Sequence, residues 1–211
     1  MSRKERSLTP AEVLRKEKFE ALCRKMEAEG YERHDLTVGI VFANAVSIFL
    51  MLPFVVLLYY GYFLVNGYER RPVSVGGALL FIALLLLLTA LHEGIHAITW
   101  AAFAKGHFLS ISFGIIWSTL SPYCTCAETM KRRQYVLGAA MPTLVLGFGL
   151  GAASVAFGSW FLTHLAALML ISGGGDFLII LKVLSHPSGG KQAVYCDHPY
   201  ECGAEVFEKR P

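Results

Sequence analysis

Apolar and polar positions along this chain segregate into blocks. The first block, to about residue 37, is rich in charge and reads as a helix. Thr9 can cap it, Pro10 suits the first helical position, Glu12 completes a capping-box pattern and Gly30 can end it. Four long apolar stretches follow, near Val38–Tyr60, Gly76–Ala104, Tyr135–Phe157 and Trp160–Leu184. Leu79 to Leu91 carries no charge, and Leu84 to Leu88 is an unbroken run of leucine. Apolar stretches of about 20 residues predict membrane-spanning helices. Between the second and third stretches the pattern changes. Ser110-Ile111-Ser112-Phe113-Gly114-Ile115 alternates small or polar residues with apolar ones, and Pro122 breaks the region. A short β-hairpin is predicted within His107–Ala127. Non-helical backbone near a bilayer must be buried in protein or line a wet cavity. The expected fold is all-α and integral to the membrane. It has about four transmembrane helices, an N-terminal amphipathic helix and a β-hairpin between the second and third spans. The expected divisions are a cytoplasmic helix over 1–37, a membrane core over 38–184 and a cytoplasmic tail over 185–211.

Composition supports the bilayer as the solvent. The 211 residues are 55% hydrophobic and 17% charged, whereas soluble domains average about 25% charged. The net charge of +3 does not point to nucleic acid, because the basic residues flank apolar segments and form no stripe with interleaved aromatics. Only Arg70 and Arg71 fall between the first two spans; the other Lys and Arg residues fall on the opposite side. That asymmetry places both termini in the cytoplasm, and the prokaryotic plasma membrane is the expected location. No signal peptide is expected, since the first apolar run starts only near Val38, after a long charged stretch. Cys23, Cys124, Cys126, Cys196 and Cys202 then face a reducing compartment, and free thiols are expected.

The chemical centre is His92-Glu93-Gly94-Ile95-His96, inside the second span. Histidines four apart share a helix face and can reach one tetrahedral Zn²⁺, and the intervening glutamate can serve as general base on a metal-bound water. Ionisable residues inside a span are expensive and normally functional. A third ligand must come from elsewhere, because the position six after His96 is Ala102. Asp176, after Gly173-Gly174-Gly175, is the only acid within the third and fourth spans. His92 and Asp176 each fall roughly 24 Å along their spans at 1.5 Å per residue, a matching depth near the cytoplasmic side. The small residues Gly94 and Gly173–Gly175 permit close helix approach there. Glu128 is the alternative third ligand, though it sits beside Lys131-Arg132-Arg133, where a solvated ion pair is the simpler role. Cys124-x-Cys126 is tighter than structural zinc spacing. Cys196, His198 and Cys202 form a weaker second metal candidate. His107 and His164 read as interfacial, and Pro142 should kink the third span near the depth of the metal.

On His92-Glu93-Gly94-Ile95-His96 and Asp176 the chain resembles the site-2-protease type of intramembrane metalloprotease. It is still more similar to the small membrane family described as putative zincin peptidases, a domain family of unknown function. The second resemblance extends over the hairpin ending near Pro122, Ala140-Met141-Pro142, Gly175-Asp176 and Asp197-His198-Pro199. The site-2-protease resemblance implies zinc held by His92, His96 and Asp176, a catalytic Glu93, and a site near the cytosolic side. The chain departs in lacking the Asn-x-x-Pro-x-Asp or Leu-Asp-Gly sequence around its aspartate and in lacking a PDZ-like insertion, so substrate class does not carry over.

The reading that follows is a membrane-embedded zinc metalloprotease acting on membrane or membrane-associated proteins near the cytoplasmic face, by Glu93-assisted attack of zinc-bound water. Its partners are such a substrate and the bilayer. The rivals are a non-catalytic membrane zinc protein and a small cation or proton transporter, the latter disfavoured by the lack of an internal repeat.

Overall fold

The computed structural model describes residues 9–68, 74–117, 119–187 and 192–210. Of the charges used above for orientation, Arg3, Lys4, Arg6, Arg70, Arg71 and Lys191 lie outside the described residues. Helix α1 spans Pro10–Ala28, and its capping box is formed. The Glu12 amide donates to Thr9 Oγ1 at 3.3 Å, and the Thr9 amide donates to Glu12 Oε2 at 2.8 Å. Gly30 follows the helix at φ +84°, where a side chain would be strained.

Four segments are long and apolar enough to cross a membrane. The first is α2, Ile40–Asn66, which continues past Tyr60 because Gly61-Tyr62-Phe63-Leu64-Val65 remains uncharged. The second is α3, Val75–Ala101. The third is composite: α4, Arg132–Pro142, gives way to a π-helical stretch over Thr143–Gly149 and then α5, Leu150–Ala156. The fourth is broken at Gly173 into α6, Trp160–Ser172, and α7, Gly174–Ser185. The chain is mostly helical, as expected.

Among the described residues, six strands accompany the helices. The hairpin comprises β2, Ile111–Ile116, and β3, Ser121–Cys126, paired antiparallel from Ile111↔Cys126 to Ile116↔Ser121. A second sheet lies beyond the all-α expectation. It joins β1 (Tyr31–Asp35), β4 (Met130–Lys131), β5 (Ala193–Asp197) and β6 (Ala204–Lys209) in the order β1-β6-β5-β4, all antiparallel. These strands precede α2, precede α4 or follow α7, so one end of the helix bundle carries the whole sheet.

The sheet has two differently employed faces. Side chains alternate along a strand. Tyr31 and Phe207 pack with Phe19, Cys23 and Met26 of α1, and Arg33 grips the buried Glu205 through bonds of 2.6 and 2.9 Å. Helix α1 is therefore packed along one face on protein, not solvated all round. On the other face, Val206 and Tyr195 join Trp100, Tyr135, Ile180 and Val183 in a core between sheet and bundle.

Small residues set the helix spacing. A Cβ at Gly174 would lie 2.6 Å from Ser47 Cβ and 2.8 Å from Ser47 Cα, and one at Gly173 would collide with the Thr143 side chain. The start of α7 is thereby pressed against α2 and the π-helical stretch. Gly174→Ala should lower stability by roughly 1–3 kcal/mol, the usual penalty for overpacking. Thermal unfolding in detergent would report it, and an unchanged midpoint would show that the contact yields freely.

Candidate metal centre

Helix α3 presents His92 and His96 one turn apart, with ring centroids 5.0 Å apart. Both Nε2 atoms face Asp176 Oδ2 from across the bundle, at 3.1 and 3.4 Å. Both histidines are buried. The three residues each offer a ligand atom, all within 4.8 Å of one another. In a tetrahedral zinc site with bonds near 2.0–2.1 Å, neighbouring ligand atoms stand about 3.3 Å apart. The two contacts to Asp176 bracket that spacing, so the donor set and its geometry fit zinc. His92 Nδ1 is buried and has no hydrogen-bond partner, so the ring's fixed contact runs through Nε2.

The orientation of His96 traces to a proline. In a regular helix the amide of residue 142 would bond the carbonyl of residue 138, but Pro142 has no N–H. The Gly138 carbonyl instead accepts from His96 Nδ1 at 2.9 Å. A carbonyl can only accept, so Nδ1 carries the proton and Nε2 is left as a donor atom for a metal. Gly138 also makes room for Trp100, which stacks on His96 at 4.9 Å and 14° and donates Nε1–H to the Tyr135 carbonyl at 3.3 Å. Tyr135 in turn donates its hydroxyl to Asp197 Oδ1 at 2.6 Å. Burial pushes the Asp197 carboxyl up to about 7, against the lowering effect of the Tyr135 hydroxyl. Pro142 thus does more than interrupt its helix, which continues in π-helical form.

Glu93 is half-buried beside the histidines. It shares the cavity wall with Cys124 on β3. A cavity of about 300 Å³ is lined by His92, Glu93, His96, Asp176, the β3 residues Ser121–Thr125, and Asp197, Tyr200 and Cys202 from the C-terminal segment. The hairpin and the C-terminal segment are therefore walls of the site.

The structure brings His92, His96, Glu93 and Asp176 together and places the other candidates elsewhere. Glu128 accepts from the Lys105 and Gly106 amides at 2.8 Å each and from the Ser110 hydroxyl. Burial would raise its pKa, but those donors outweigh it and hold the carboxyl below its ordinary value. It fastens the turn between α3 and β2, and it does not join the histidines. Arg132, the expected ion-pair neighbour, is spent on the Val183, Leu184 and His186 carbonyls at the end of α7. Cys196 is buried with its thiol toward the Cys126 and Asp197 carbonyls. Cys196, His198 and Cys202 form no metal-capable group among the described residues. His107 and His164 bond backbone carbonyls, Ala101 O at 3.0 Å and Trp160 O at 2.8 Å. The supporting residues Trp100, Tyr135 and Gly138 were not identified from sequence. The Gly138-x-x-x-Pro142 spacing was the available signal, since it marks a helix carbonyl left without its donor.

Residues 85–190 match the sequence model of a family described as putative zincin peptidase. No curated protein and no solved structure gives a match.

A Cβ at Gly138 would overlap the Trp100 indole. Gly138→Ala should displace Trp100 and the His96 ring stacked on it, weakening zinc binding about 10- to 100-fold, the range for lost outer-shell support. Competition against a chromophoric chelator would measure it, and an unchanged affinity would separate the indole from the metal site.

Proposed function

We propose that this chain, which belongs to the putative zincin peptidase family, is a zinc endopeptidase working inside a membrane near its cytoplasmic face. The observation that carries the reading is the convergence of His92, His96 and Asp176 beside Glu93 on the wall of one cavity. His92, His96 and Asp176 would hold the zinc. When bound, zinc supplies Lewis acidity, which lowers the pKa of a water to around 7 and polarises a carbonyl. Glu93 takes the proton from the attacking water and delivers it to the departing amine nitrogen. His96 is kept in its Nδ1–H form by Gly138 throughout.

The membrane setting is supported by the four apolar helices and by the many large apolar side chains they turn outward, among them Phe49, Leu57, Leu80 and Leu86. With both termini cytoplasmic, the sheet and the metal site lie toward the cytosol. A peptide bond in a substrate helix is closed to attack, so the substrate must unwind. Strand β3 offers an edge for the unwound segment. Pairing alternates along a strand. Pro122 has no N–H to give the β2 ladder, and the amides of Cys124 and Cys126, in step with it, point away from β2; Cys124 lines the cavity.

Two experiments test the reading. Glu93→Gln should keep its zinc while losing about 10²- to 10⁴-fold in cleavage of a single-span peptide in liposomes, the usual contribution of a general acid–base group. Full cleavage would remove Glu93 from the mechanism, and zinc flux without any cleavage in wild type would favour transport. Cys124→Pro deletes a cavity-facing amide without touching the β2–β3 ladder. It should retain zinc and lose most cleavage; undiminished cleavage would refute substrate pairing along β3.

A further inference from the structure

Outside the proposed active site, His34, His186 and Glu208 bring three potential ligand atoms within 4.8 Å of one another. They come from β1, from the residue just after α7, and from β6. In the register, His34 stands opposite Val206 and Glu32 opposite Glu208. His34 and Glu208 are therefore diagonal neighbours on one face, the face turned toward the bundle, and the end of α7 brings His186 up to them. The two carboxylate oxygens are divided between the rings. His186 Nε2 is 2.9 Å from Oε1, and His34 Nε2 is 3.6 Å from Oε2. These separations straddle the roughly 3.3 Å between ligands of a tetrahedral zinc ion.

The surroundings call for a cation here. Glu208 is buried, at 5% exposure. Among the described residues its ion-pair partners are these two imidazoles, and no Lys or Arg joins them. Two cations at the end of α7 are spent on backbone carbonyls: Arg132 on Val183 and Lys182 on Thr37, the latter at 3.1 Å. On the same face Tyr195 stands opposite Val206, one diagonal step from Glu208. Its hydroxyl is fully buried and has no hydrogen-bond partner. A buried carboxylate whose ion-pair partners are two imidazoles, beside an unpaired hydroxyl, is a cluster that a cation would complete.

We propose that His34, His186 and Glu208 form a second divalent-metal site, suited to zinc, which fastens the end of α7 to strands β1 and β6. Two imidazoles and one carboxylate suit zinc among abundant biological cations. The partial exposure of His34, at 36%, gives the ion a way in from the cytoplasmic side. The role is structural: the three ligands join separate elements, and none of them lines the cavity that holds Glu93. Occupancy would tie residues from both ends of the described chain to the helix that carries Asp176. The proposal does not depend on the peptidase reading.

The test is metal stoichiometry of the full-length protein in detergent, stripped by chelation and titrated with Zn²⁺, with thermal unfolding followed in parallel. Wild type should bind two equivalents. His34→Gln and Glu208→Gln should each bind one and lose part of the zinc-induced rise in unfolding temperature. The His92→Ala, His96→Ala protein should also bind one, at the remaining site, and it serves as the deciding measurement if the sheet variants fail to fold. A single wild-type equivalent belongs to this site if it survives in the His92→Ala, His96→Ala protein; two equivalents retained in the sheet variants, or none in the His92→Ala, His96→Ala protein, would overturn the proposal.

Discussion

The arrangement of this molecule depends on how the Asp176 carboxylate is accommodated among apolar helices. A carboxylate there must be met by partners from the protein itself. His92 and His96 meet it at 3.1 and 3.4 Å, and that contact requires α3 and α7 to stand at matching depth. The glycines at the α6–α7 break let the start of α7 press against Ser47 and Thr143. Pro142 releases the carbonyl that holds His96. Features that look like defects in helices, a proline, a π-helical stretch and a glycine break, are each tied to presenting polar atoms where the apolar solvent would otherwise forbid them.

Much of this was legible in the sequence because a long apolar segment has few choices of structure. Twenty uncharged residues leave few choices, so the four helices and the hairpin were found nearly in place. The capping box at Thr9 and Glu12 formed as written. The pairing of His92, His96 and Asp176 followed from depth, since the only interior acid of two spans had to face something polar. The four-stranded sheet was not legible. Its strands are short, β4 only two residues long, and they lie far apart in sequence. Glu-Arg-His in β1 and Glu-Val-Phe-Glu in β6 place charges on both faces, which hides a period of two. Both faces are in fact covered, one by α1 and one by the bundle, with charges such as Glu205 paired in place. Local pattern carries no trace of such pairing. Glu128 was misjudged for a related reason: its partners are backbone amides, which sequence does not display.

The sheet also explains how a small bundle of apolar helices acquires a defined cavity. Helices alone would leave the His92–Asp176 end open. The hairpin closes one side through Tyr123 and Cys124, and the segment between β5 and β6 closes another through Tyr200 and Cys202. Helix α1 locks these walls together, since Arg15 bonds the Pro199 carbonyl at 3.1 Å and reaches the Tyr123 hydroxyl.

The strand order β1-β6-β5-β4 has a consequence for the order of events on the ribosome. β1 is made early, and β4 emerges midway, yet neither touches the other; both wait for β5 and β6. His92 and His96 of α3 and Asp176 of α7 are already made while Asp197, Tyr200 and Cys202 are still being threaded through the exit tunnel. The chamber is therefore among the last parts of the molecule to be enclosed. During its own synthesis the nascent chain has its chemical groups in place and no vessel around them.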